Sequence, residues 1–233
     1  ASGEGYGSNL LSKHAEYVIG VDISDAAVKS ASMKYSRTNL SFKLGSTNEI
    51  PLEDNSVDIV VSFETIEHHD EHLKMLDEIS RVLRPNGILI ISTPDKKKYS
   101  DDRNYNNIYH VKELTKYDFE VLLRKYFSNK RFFVQGSINE ISHILNEDIV
   151  LPTKYLSGDF DNYTMDQLDF LYQLSVSSNG FIKQIENSVF SYHHSQYKLN
   201  FEFQRGQHFV MTSWSFKIGA FLLRPFKIFK RYF

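Results

Sequence analysis

The residues best placed for chemistry open the chain. Gly3, Glu4, Gly5, Tyr6 and Gly7 put three glycines in five positions ahead of a helix-forming run, and Asp22 follows Gly5 by 17 residues at the end of an apolar run. Glycines without Cβ atoms let a ligand approach backbone amides. A strand-end carboxylate can accept both hydroxyls of a ribose. Each feature also has a purely structural reading: a glycine turn without a ligand, and an acid that initiates the helix beginning near Ser24. Taken together they point to a nucleotide-type ligand at the C-terminal edge of a sheet. The spacing is G-x-G-x-G, not the G-x-G-x-x-G of dinucleotide-binding dehydrogenases.

A second cluster is His68-His69-Asp70-Glu71-His72. His68 and His72 have the four-residue spacing that places two metal ligands on one helical turn. Asp70 reads as the helix N-cap, however, which leaves His68 outside the helix, and the Glu of H-E-x-x-H is missing. No metal site is expected here. Tyr192, His193 and His194 read as part of an ordinary loop.

The elements that must hold these residues alternate short β-rich runs with amphipathic ones, the pattern of βαβ units and a parallel sheet. A short helix is expected over residues 8–15, strands over 17–22, 40–44, 56–63 and 88–92, and a Ser24-capped helix to about Tyr35. A helix capped by Asp70 should bury Leu73, Leu76, Ile79 and Leu83, with Arg84-Pro85-Asn86-Gly87 ending it. Residues 95–107 lack aliphatic side chains and read as a mobile loop past a strand's C-terminal end. Thr115 and Asp118 resemble a capping box for a helix to about Tyr126 carrying Tyr117, Val121, Leu122 and Leu123. Later strands are expected over 131–134 and 172–176. Between them lies an acidic insertion with Asp148, Asp159, Asp161 and Asp166, either a cap over a site or solvated decoration.

Composition bounds the function. Of 233 residues, 27 are Lys or Arg and 29 Asp or Glu, a net charge of −2 that argues against non-specific nucleic-acid binding. Zero cysteines exclude disulfides, thiolate metal sites and a Cys nucleophile. There is no membrane-length apolar run and no signal-peptide pattern. The last forty residues carry a single acid, Glu202, against seven Lys and Arg. There Phe226, Phe229 and Phe233 share one helical face, while Lys227, Lys230 and Arg231 share another. That is the arrangement of a helix lying in a lipid interface, or of one packed on its own protein.

Further motifs join these in order: Val18-Ile19-Gly20-Val21-Asp22, Gly45-Ser46-Thr47 with Ile50-Pro51-Leu52, Val57-Asp58-Ile59-Val60, Phe63-Glu64-Thr65-Ile66-Glu67-His68 and Arg84-Pro85-Asn86-Gly87. Over about residues 1–127 the chain resembles a class I S-adenosylmethionine-dependent methyltransferase of the methyltransferase-11/23 type. The resemblance implies an α/β fold, a Rossmann-like doubly wound and mostly parallel sheet with a C-terminal antiparallel hairpin, whose first strand would precede Gly3 and is missing from this sequence. It implies S-adenosyl-L-methionine as cofactor, bound by Gly3, Glu4, Gly5 and Gly7, with Asp22 on the ribose. Ile23 would flank the adenine, Ser46 and Thr47 would lie at its edge, and Phe63 and Glu64 would border the transferred methyl. Ser46 stands where an acid is usual, and Val57 where Phe is commoner.

Methyl transfer needs orientation, and a base only where the acceptor must lose a proton. His68, His110 and Glu64 are the candidates, with a hydrogen-bonded structural role as the alternative for either histidine. The domain division expected is a methyltransferase core over 1–138, an acidic insertion over 139–168, a last core strand and connection over 169–208, and the basic-aromatic tail over 209–233. The acceptor expected is a small molecule or a glycan hydroxyl, since the loop and tail resemble methyltransferases of bacterial surface-polysaccharide pathways. The implied setting is the cytoplasm or the inner membrane face, with residues 214–233 (Trp214 to the C-terminal Phe233) as the membrane contact. A quinone or other small-molecule methyltransferase and a non-catalytic methyltransferase-like module are the alternatives.

Overall fold

The computed structural model describes residues 1–138, 141–147, 155–159, 162–166 and 170–191. The chain forms two units, Ala1–Phe190 and Ser191–Phe233. The expected tail, the 192–194 loop and the acids Asp148 and Asp161 lie outside the described residues.

Helix α1 spans Tyr6–Leu11, strand β1 Val18–Asp22, helix α2 Asp25–Lys34 and strand β2 Leu40–Leu44. β1 and β2 pair in parallel from Val18↔Leu40 to Asp22↔Leu44. Ser24 caps α2 as expected, its hydroxyl accepting from Ala27 N at 3.3 Å. α1 starts two residues earlier than expected because Gly5, at φ +82°, turns the chain in the left-handed region. A Cβ on Gly5 or on Gly20 would come within 2.6 Å of the Phe42 ring. These two glycines therefore let the turn and β1 close onto that ring.

Strand β3 spans Val57–Phe63, helix α3 His72–Val82, strand β4 Leu83–Pro94 and helix α4 Lys116–Arg124. Strands β5 (Asn129–Ile138), β6 (Ile141–Asn146), β7 (Tyr155–Asp159), β8 (Asn162–Asp166), β9 (Tyr172–Ser178) and β10 (Ser188–Ser191) follow. The larger sheet has the order β10-β6-β5-β9-β4-β3. β3 and β4 are parallel, and β9 runs antiparallel between β4 and β5. The fold is thus the expected mixed α/β class. The insertion is more regular than its acidity suggested: β6 extends the sheet along β5, and β7 and β8 form a separate hairpin.

β4 is covered on both faces. Leu89 and Ile91 pack with Met75, Leu76 and Ile79 of α3 and Phe119, Leu122 and Leu123 of α4. Ile88 and Ile90 pack on the opposite side with Phe133, Val176 and Ile182. Such two-sided burial explains its near-continuous apolar run. Leu73 corrects the expected face of α3, being 52% exposed, while His72 and Met75 are buried. The inward positions are 72, 75, 76, 79 and 82, so Leu76 and Ile79 are buried as expected, and Leu83 is buried as the first residue of β4. Asp70 is not the cap either: Glu71 holds that position, and no side chain caps the helix there. In α4, Phe119 is buried in place of Tyr117, which is exposed. The Thr115 hydroxyl accepts from Asp118 N at 3.2 Å, as its spacing predicted.

Among the described residues no strand joins β1 to β3. The two sheets are linked through the 45–54 segment and α3. Arg81 donates to Leu52 O at 2.8 Å and to Ile50 O at 2.9 Å, and Glu78 accepts from Ile50 N at 2.7 Å. These bonds tie the loop after β2 to the C-terminal half of α3.

Truncating a buried residue of α3 leaves a cavity, and truncating an exposed one does not. Leu76→Ala should cost about 2–5 kcal/mol in urea unfolding, and Leu73→Ala within about 0.5 kcal/mol of nothing. Equal losses would contradict the assigned face.

Candidate active site

The first group of predicted residues meets at the end of β1. Asp22 is buried, and its carboxylate accepts from Gly3 N at 2.8 Å and from Ser24 N at 2.9 Å. The glycine turn and the strand-end acid are thus one unit. Each carboxylate oxygen has a further lone pair free for a ligand donor. The three glycines separate by role. Gly5 is required by Phe42, whereas a Cβ at Gly3 or Gly7 would meet nothing within 4 Å. Open space therefore lies over the exposed ends of the turn, beside Asp22. Ile23 is 76% exposed and available to cover an apolar ligand face. Glu4 is otherwise engaged, pairing with Lys34 at 3.4 Å.

Ser46 and Thr47 lie in the turn after β2. The Ser46 hydroxyl accepts from Asn48 N at 3.2 Å, so it shapes that turn. Thr47 Oγ1 lies 3.5 Å from His69 Nε2, and Asn48 donates to Glu71 at 2.5 Å. These contacts set the second-sheet turn beside the first.

The second group sits at the ends of β3 and β4. Phe63 is half exposed at the last position of β3, and Glu64 follows with φ +48°. That left-handed backbone is strained for a glutamate and persists because its neighbours over-determine it. Glu64 N donates to Ser92 O at 3.1 Å, and Ser92 Oγ donates to Glu64 Oε1 at 2.6 Å. Burial pushes the Glu64 carboxyl up to about 7; the Ser92 bond opposes this and the nearby Glu67 charge adds to it.

A single helical turn, Ile66–His68, then directs Glu67 inward and His68 outward. Thr93 Oγ1 donates to Glu67 Oε2 at 2.9 Å. The Glu67 carbonyl accepts from Val111 N at 2.8 Å and Lys112 N at 3.1 Å, and His68 Nδ1 lies 2.9 Å from Tyr109 O. The predicted partners His68 and His110 are thereby brought together, ring centroids 5.2 Å apart. His110 Nδ1 lies 2.5 Å from Glu113 Oε1, and Nε2 is 3.0 Å from Asn107 Nδ2. The segment read as a mobile loop contains a helical turn, Lys97–Asp101. Its Tyr99 stacks on His110 at 5.5 Å and contacts Tyr172 of β9. A polar cleft of about 480 Å³, lined by Lys96, Ser100, Asn104, Tyr105, His110 and Glu113 among others, opens at this point.

Residues 1–91 match the family described as "Methyltransferase domain". Its span contains the glycine turn, Asp22 and the Phe63–His68 segment. Over residues 1–91 the chain is similar to methyltransferase domains. A Mycolicibacterium smegmatis protein named "probable S-adenosylmethionine-dependent methyltransferase" is 38% identical over 122 residues, 52% of this chain and 47% of that protein. A phthiotriol/phenolphthiotriol dimycocerosates methyltransferase of Mycobacterium ulcerans is 31% identical over 108 residues, 46% of this chain and 37% of its own length. The chain thus spans about half the length, or less, of these curated relatives. A Thermotoga maritima SAM-dependent methyltransferase has the same fold with TM-score 0.55 at 17% identity, over 76% of this chain and 78% of its own.

The site also contains residues that the sequence reading did not single out. Glu67 could have been found as the i+3 partner of Glu64. Asn107 and Glu113, each three residues from His110, could have been found the same way, whereas Tyr99 stacks on His110 and touches Tyr172 only through tertiary structure.

The raised Glu64 value gives a signed expectation. The folded protein keeps a proton there that the unfolded chain releases between its ordinary 4.5 and about 7. The contribution is fully present below pH 4.5 and is lost as pH rises through about 7. The urea midpoint should therefore decline across that window, and Glu64→Gln should flatten the decline. An identical slope in the variant would contradict the assignment.

Proposed function

We propose that this chain binds S-adenosylmethionine across the Gly3–Gly7 turn and Asp22, and methylates a hydroxyl of a polar small molecule or glycan held in the cleft beside His110. The observation carrying this reading is the open space over Gly3 and Gly7 next to the Asp22 carboxylate. When bound, S-adenosylmethionine supplies an electrophilic methyl group, the acceptor oxygen forming the new C–O bond while the C–S electron pair passes to sulfur.

The chain's own residues do the rest. Asp22 accepts from the ribose hydroxyls while Gly3 and Gly7 leave room for the remainder, and Ile23 covers the base. His110 is oriented by Glu113 and takes the proton the acceptor hydroxyl must release. His68 packs edge-on against it and fixes the ring. The cleft's lining of lysine, serine and asparagine suits a hydroxyl-rich acceptor better than an acyl chain. A lipid-linked or quinone acceptor is the second reading, favoured by the exposed Ile108, Tyr109 and Val111 beside His110. No helix among the described residues is long and apolar enough to cross a membrane. A cytoplasmic, membrane-face location rests on the basic-aromatic sequence of residues 214–233.

S-adenosylhomocysteine titrated calorimetrically should bind the wild-type chain. Asp22→Ala should weaken binding about tenfold to a hundredfold, since a hydrogen bond to a charged group contributes about 1.5–3 kcal/mol. Gly7→Leu, at an open position, should do the same with an unchanged melting temperature, so a folding defect at Asp22 does not confuse the result. Wild-type affinity in both variants would overturn the cofactor placement.

A further inference from the structure

Glu67, His68 and His110 offer a carboxylate oxygen and a ring nitrogen each that all lie within 4.8 Å of one another. Glu67 is 1% exposed, and its Oε1 accepts no hydrogen bond among the described residues, although Oε2 is held by Thr93. A buried carboxylate oxygen without a donor is costly and uncommon. This oxygen faces His68 Nε2 across 4.0 Å, too far for a direct hydrogen bond.

The histidines are set as metal ligands are set. The Tyr109 carbonyl can only accept, so the His68 proton sits on Nδ1 and Nε2 presents its lone pair toward Glu67. The Glu113 carboxylate likewise fixes a proton on His110 Nδ1. A ligating imidazole normally donates its other N–H to a carbonyl or carboxylate, and both do so here. The neutral Asn107 amide on His110 Nε2 is the contact a cation can displace. His72, the partner that spacing suggested for His68, is instead occupied: its Nε2 lies 2.7 Å from His69 O.

We propose that Glu67, His68 and His110 bind one divalent transition-metal cation. Two imidazoles and one carboxylate suit Mn²⁺, Fe²⁺, Co²⁺ or Zn²⁺ and leave coordination positions open. With metal–ligand bonds of about 2.0–2.2 Å the donors must draw together by roughly 1 Å, a shift that the exposed His68 side chain can supply. The open positions border the cleft at His110. Resting on the methyltransferase reading, the cation's role is to chelate adjacent hydroxyls of the acceptor and lower the pKa of the one that attacks, so that in the metal-bound form its proton passes to water and His110 serves as a ligand in place of a base. The metal site itself does not depend on that reading.

Mn²⁺ alone is titrated into the full chain, bound metal being read from loss of the free-ion electron paramagnetic resonance signal. One Mn²⁺ per chain is expected, displaced by Zn²⁺, with at least tenfold weaker binding in Glu67→Gln, His68→Ala and His110→Ala. The exposed His68→Ala guards against misfolding at the buried Glu67. No binding by the wild type, or wild-type affinity in both histidine variants, overturns the site. S-adenosylhomocysteine binding on the same preparations separates the two ideas. Nucleoside uptake without Mn²⁺ uptake removes the metal site alone, and Mn²⁺ uptake without nucleoside uptake removes the methyltransferase reading alone.

Discussion

The buried Glu67 side chain and its backbone carbonyl hold the active-site half of the molecule together. The carboxylate is tied to Thr93 at the end of β4, and the carbonyl takes Val111 N and Lys112 N, so one residue joins the turn after β3, the end of β4 and the segment carrying His110. A carboxylate with only 1% exposure is tolerable only where its oxygens find partners. Here one oxygen has Thr93, while the other has no donor among the described residues and faces His68, which is why the pair with His110 is read as a cation site. Its demands set where His68 and His110 point, and so what the cleft beside them can do.

The half that carries the glycine turn depends on a different constraint, the close approach of Gly5 and Gly20 to the Phe42 ring. This contact seats the glycine turn on β1 and brings Gly3 N to Asp22. Packing thus consumes one glycine of the turn and leaves the outer two facing space. The two halves meet where Thr47 and Asn48 touch His69 and Glu71, across the C-terminal ends of β2 and β3. Strand ends and the segments that follow them, not strand interiors, supply Asp22, Glu64, Glu67, His68 and His110, as open α/β sheets favour.

Much of the fold was legible because its signals are local. β2 lies over Leu40–Leu44 as its residues suggest, and Ser24 and Thr115 cap the helices they precede. Leu73 misled because the buried stripe of Leu76 and Ile79 continues through His72 and Met75, one turn back, and leaves Leu73 at its exposed edge. The 95–107 stretch looked loop-like because it has no aliphatic residue, yet its Tyr99 packs by ring stacking, which hydrophobic periodicity does not register. The acidic insertion concealed β6 because pairing with β5 is a tertiary matter. Asp22 and the glycines could be read from the sequence because they sit 15–19 residues apart around one turn and one strand. The Glu67–His68–His110 cluster could not, since 42 residues and a whole strand separate His68 from His110.

The central claim is that the glycine turn with Asp22 and the turn after β3 face one nucleoside ligand from two sheets. Backbone amide spectra of ¹⁵N-labelled protein titrated with S-adenosylhomocysteine test it most directly. The account predicts saturable shifts at Gly3, Gly7, Ile23, Phe63 and Glu64 with one common affinity, while the amides of β5 stay in place. Shifts confined to one turn, or spread over β5 and β9, would contradict it.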